Sequence, residues 1–140
     1  MLKTIVTILS PLVLCASISG CFVDSGTGGT GGTTPDPAIG TLTAGWTLDG
    51  SSHPDACLYY QVDRVNVVLV DDYGDVVADE EPYCEDFGIS FDLSTGWYST
   101  EVTLLDLDGY AVSDTVIADV RVARDTEVFV DVDFPDAAID

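Results

Sequence analysis

The sequence predicts an all-β fold, a small antiparallel β-sandwich of about seven strands in roughly 100 residues, preceded by a leader and a Gly/Thr-rich linker. Three observations carry this reading. Beyond Gly40, apolar residues recur at every second position, the period of a half-buried strand, and no segment shows the apolar stripe of an amphipathic helix. Clusters of Asp, Gly and Ser punctuate these stretches, as tight turns require. Hydrophobic residues make up 46% of the chain despite a net charge of -21, so the chain has enough apolar surface to bury a core.

Taken in order, the first strand places Leu42, Ala44, Trp46 and Leu48 on one face and Thr41, Thr43, Gly45 and Thr47 on the other. Val65, Val67 and Leu69 alternate next and lead into the turn Asp71-Asp72-Tyr73-Gly74-Asp75, from which Val76, Val77 and Ala78 return. Ile89, Phe91 and Leu93 form a fourth face, a turn follows at Ser94-Thr95-Gly96, and Tyr98, Thr100, Val102 and Leu104 form a fifth. Asp106-Leu107-Asp108-Gly109 turns the chain again. The last two strands are read at 111–122 and 127–134, the second with Val128, Val130, Val132 and Phe134 inward. Strands at this spacing suggest two packed antiparallel sheets with a Greek-key-like path. The alternation ending in Asp71-x-x-Gly74-x-Val76-Val77, together with Leu93-x-x-Gly96-x-Tyr98, resembles the transthyretin-like and carboxypeptidase regulatory-like sandwiches of secreted proteins. That resemblance covers about forty residues. It implies an accessory, binding or structural module and carries over no catalytic residue.

The chain divides into a leader (1–20), a linker (21–39) and one domain (40–140), because 140 residues leave room for a single ordinary core. Lys3 supplies a positive start, an apolar stretch follows from Ile5 to Ala16, and small residues precede Cys21, the three parts of a secretory signal peptide. Ile18-Ser19-Gly20-Cys21 resembles the bacterial lipobox. The resemblance implies cleavage before Cys21, a diacylglyceryl thioether on its sulfur and acylation of the new amino group. Two or three acyl chains hold a protein to a membrane firmly, where one is marginal. By the same resemblance Phe22, in place of the Asp that retains lipoproteins at the inner membrane of enteric bacteria, favours the outer membrane. Residues 24–34 read DSGTGGTGGTT, a flexible, disordered linker by composition. A phosphate cradle is rejected, since no strand precedes these glycines and no Lys or helix follows them.

Once Lys3 leaves with the leader, three arginines stand against 25 acids, a net charge of -22. Such a surface repels phosphate backbones, which excludes nucleic acid as a partner, and it repels anionic lipid headgroups, leaving membrane contact to the lipid on Cys21. Cys15 lies in the leader, so Cys57 and Cys84 are the pair left for a disulfide in an oxidising compartment, with two buried free thiols as the alternative.

His53, the single histidine, lies in Ser51-Ser52-His53-Pro54-Asp55, where neighbours in one loop point apart and do not build a triad. One His and two bridged cysteines do not close a zinc site. Asp71, Asp72 and Asp75 in one turn, and Asp106 and Asp108 in another, offer the hard oxygen ligands that calcium takes, but ordinary solvated turns use the same residues. Trp46 falls on the inward alternation and reads as core. Trp97 faces opposite to Tyr98 and is the candidate for ligand contact. The expected function is a membrane-anchored, non-catalytic module that engages an envelope protein or a polysaccharide and needs no cofactor. Two alternatives stand beside it: a calcium-dependent adhesion or carbohydrate-binding module, and a small hydrolase or an accessory domain of one.

Overall fold

The computed structural model describes residues 37–140. The leader, Cys21 and the linker up to residue 36 lie outside the described residues. The elements run β1 (Ile39–Leu48), α1 (Pro54–Tyr59), β2 (Arg64–Asp71), β3 (Val76–Glu80), β4 (Gly88–Ser94), β5 (Gly96–Leu105), β6 (Val116–Val122) and β7 (Glu127–Phe134), with two single-turn 3₁₀ segments at Cys84–Asp86 and Asp136–Ala138. Seven strands form two sheets, β4-β1-β7 and β3-β2-β5-β6.

Burial is densest on the interior strands and on the last strand. The interior strands β1, β2 and β5 bury every second residue: Leu42, Ala44, Trp46 and Leu48 on β1, Val65, Val67 and Leu69 on β2, and Tyr98, Thr100, Val102 and Leu104 on β5. Each large apolar side chain so buried contributes roughly 1.5–3 kcal/mol. Of the edge strands, β3 and β4 bury their inward residues only in part and β6 buries only Val122, whereas β7 buries Val130, Val132 and Phe134. Trp46 is core, as its parity predicts, and its Nε1 donates to the Cys84 carbonyl at 2.9 Å. Cys57 and Cys84 form the expected disulfide, with Cα atoms 6.0 Å apart, fastening α1 to the Cys84–Asp86 turn. In the chain-entropy account, a bridge across 27 residues stabilises the fold by roughly 3–4 kcal/mol.

Three features depart from the sequence reading. β1 and β7 pair in parallel, Thr41 opposite Glu127 through Leu48 opposite Phe134, where antiparallel sheets were expected. The first and last strands have no hairpin between them, so nothing local fixes their relative direction. The final pair of strands also begins later: β6 starts at Val116, while Ala111 and Ser113 make only isolated bridges and the Ser113 hydroxyl accepts from the Leu104 N–H. The third departure is α1. Its six residues are too few to show a period, and it is set by its start: Pro54 occupies the first turn and the His53 side chain caps the Asp55 N–H.

The strand directions give the sandwich two ends. The β2–β3 turn, the start of β5, the end of β6 and the entry to β1 share one end. Helix α1, the disulfide and the 106–110 turn share the other.

Candidate functional site

The first residues of β5 build the site. Tyr98 turns inward, 8% exposed, and its hydroxyl donates to the Ser94 carbonyl at 2.8 Å, which fixes the strand as it enters the four-stranded sheet. Burial pushes the Tyr98 phenol above its ordinary pKa, with Asp71 and Asp72 adding to the rise, so it stays a neutral donor. Because side chains alternate, Trp97 must then face out, and it is 55% exposed.

On the outer face Trp97 lies directly opposite Arg121, and Ser99 lies opposite Asp119, to whose Oδ1 its hydroxyl donates at 2.6 Å. The indole therefore stands between two open hollows of unlike charge. On one side is a hollow of about 250 Å³ lined by Asp71, Asp72, Ser99 and Asp119. On the other is one of about 420 Å³ lined by Thr95, Gly96, Arg121, Ala123 and Arg124. An aromatic plate with carboxylates and a hydroxyl along one edge and guanidinium groups along the other can stack on an apolar ring face and bond its polar rim. Trp97 was singled out by parity alone. Its neighbours Arg121 and Asp119 were not, because they come from β6, and the cross-strand register that brings them alongside has no local signature.

The acidic turns have a different construction. Asp71 Oδ1 accepts from the Tyr73 and Asp75 N–H groups, both at 2.9 Å, and Asp106 Oδ1 accepts from Asp108 and Tyr110 at 2.9 and 2.8 Å. In each turn the glycine three residues on, Gly74 or Gly109, takes a positive φ. The two turns are the same device, in which the leading carboxylate is used to hold backbone. They lie at opposite ends of β2 and β5, so Asp71, Asp72 and Asp75 do not meet Asp106 and Asp108. No three His, Cys, Asp or Glu side chains among the described residues gather into a group fit for a metal ion.

His53 and Asp55 lie 3.4 Å apart, both largely in solvent, and the Ser51 hydroxyl accepts from the His53 N–H. The loop thus joins His53 to its neighbours without presenting a nucleophile to it. A third hollow, about 330 Å³, lies over Gly45 on the other sheet, beside Thr47, Ser52, Asp131 and Asp133. There the Thr47 hydroxyl and then the Gly50 N–H hold the Asp133 carboxyl below its ordinary pKa.

The described residues form an acidic β-sandwich on which Trp97, one of several exposed aromatics, stands between an acidic and a basic hollow. The chain matches no family profile and no curated protein. It is similar to a solved structure of a candidate polysaccharide-binding protein (DUF1812) from Bacteroides thetaiotaomicron, at 11% identity and a TM-score of 0.44, over 65% of this chain and 46% of that one. The chain spans less than half the length of that structure.

Proposed function

We propose that this protein is a lipid-anchored, non-catalytic binding module of the bacterial cell envelope, which contacts a polysaccharide through Trp97. The observation that carries the reading is the 55% exposure of the Trp97 indole, next to a tyrosine bonded rigidly into the sheet. A fixed aromatic plate gives up little conformational freedom on stacking against a sugar ring, and the polar groups at its edges suit hydroxyls. The lipobox-like Ile18-Ser19-Gly20-Cys21 supports anchoring through Cys21, with the outer membrane favoured by Phe22. A sandwich of the transthyretin-like kind suits an accessory role. The hydrolase reading draws no support from His53, whose own side chain accepts from the Asp55 N–H to cap α1 and whose backbone N–H donates to the Ser51 hydroxyl.

The test is binding of the purified full chain to an immobilised panel of envelope and extracellular polysaccharides, for the wild type and for Trp97→Ala. Removing a central aromatic contact should weaken binding at least tenfold while leaving the melting temperature in place, since Trp97 supports no core. Undiminished binding by Trp97→Ala would refute the site.

A further inference from the structure

We infer that the ligand of the Trp97 shelf is an acidic saccharide, whose carboxylate is taken by Arg121; this rests on the polysaccharide reading above. The described domain has three cations, Arg64, Arg121 and Arg124, and no lysine. Arg64 is already engaged. Its Nε lies 3.5 Å from Asp63, its guanidinium sits 4.7 Å from the centre of the Tyr83 ring, and it donates to the Glu81 carbonyl. Arg121 makes no side-chain hydrogen bond or ion pair with any other described residue. It stands directly across the strand pair from Trp97, in a hollow that Arg124 also lines.

An anion reaching this domain therefore finds its open cation beside the exposed indole. Directly paired residues of neighbouring antiparallel strands have Cβ atoms about 5 Å apart, so the indole and the guanidinium that extend from this pair can reach adjoining parts of one sugar residue. A uronic acid can thus lay its ring on Trp97 and give two oxygens to the Arg121 guanidinium, whose planar fork matches a carboxylate. The hollow of about 420 Å³ is large enough for one such residue with its glycosidic neighbour outside. The net charge of -21 does not forbid this, because at physiological salt charges more than about 8 Å away are largely screened.

An anionic membrane surface offers similar chemistry, and this end of the domain is also where β1 begins. The surroundings favour the saccharide. A flat bilayer that touched Trp97 would also meet Asp71, Asp72 and Asp119 from the neighbouring hollow, whereas one sugar residue can keep to the hollow that Trp97, Arg121 and Arg124 line.

The full chain in non-ionic detergent is titrated, by tryptophan fluorescence, with tetrasaccharides of galacturonate, mannuronate and hyaluronan, each against its carboxyl-reduced counterpart. At least one acidic member should bind at least tenfold tighter than its reduced form, the difference a charge-assisted bidentate pair supplies. Arg121→Gln should bring the two within about twofold while preserving the reduced form's affinity, and Trp97→Ala should weaken both. Equal binding of acidic and reduced forms, both lost in Trp97→Ala, overturns the acidic ligand and leaves the polysaccharide reading intact. A preference for acid that survives Arg121→Gln overturns the role of Arg121. If no member binds, and anionic vesicles carrying the anchored chain shield Trp97 from acrylamide where zwitterionic ones do not, the membrane replaces both readings.

Discussion

Thr100 lies at the centre of β5 with no exposed surface, and its Oγ1 has no hydrogen-bond partner. Its neighbours along the same face, Tyr98 and Val102, are buried with it, so the hydroxyl gave up water and received nothing for it. Valine has nearly the same shape without the polar atom. Thr100→Val should therefore stabilise the fold by about 1–3 kcal/mol, seen as a rise in melting temperature of at least about 4 °C; a fall would mean that the hydroxyl is satisfied in solution. The two tryptophans show the same dependence on setting. Trp46 and Trp97 are one residue type with opposite fates, and strand parity alone assigns Trp46 to the core and Trp97 to the surface. That much of the site was legible. Arg121 and Asp119 were not, because a period of two says which face a residue is on but not which residue of another strand stands beside it.

At the scale of elements, the matched turns at 71–75 and 106–110 decide how the acidic clusters behave. Asp71 and Asp106 each present one carboxylate oxygen to two backbone N–H groups, and a calcium ion would have to compete for it. Thermal melts with calcium chloride and with sodium chloride at matched ionic strength should show similar modest rises, as diffuse screening predicts. Asp72→Asn and Asp75→Asn should change little. A saturable, calcium-specific rise of about 10 °C, abolished by those substitutions, would favour the calcium-dependent adhesion module. Both turns could be read beforehand because Asp-x-x-Gly carries its own chemistry, a side-chain acceptor at the start and a residue tolerant of positive φ at the end. Most strand boundaries were legible for the same reason, turn residues at each end and β-branched or aromatic residues between, but the start of β6 was not, because residues 111–115 make only isolated bridges. The parallel β1–β7 pair was hidden because strands some eighty residues apart carry no turn that sets their direction. Helix α1 was hidden because a cap and a proline, without a stripe, are a weak signal over six residues.

At the scale of the whole molecule, the chain combines a strongly acidic sandwich, a stapling disulfide and a lipobox-like segment upstream. The sequence's net charge of -21 opposes approach to anionic surfaces, so the proposed anchoring rests on the lipid on Cys21. Cys21→Ala should abolish fatty-acid labelling and move the protein from the detergent phase to the aqueous phase; label retained on the Cys21→Ala protein would refute the anchor. The central claim is that the domain works through one outward-facing indole, and the two tryptophans make it directly observable. In a ¹H–¹⁵N spectrum of the protein, the Trp46 indole N–H is held by the Cys84 carbonyl within the core, and the Trp97 indole is exposed. On adding a polysaccharide that the wild type retains, the account predicts that the Trp97 indole signal shifts while the Trp46 signal stays in place. A Trp97 signal unmoved at saturation would contradict it.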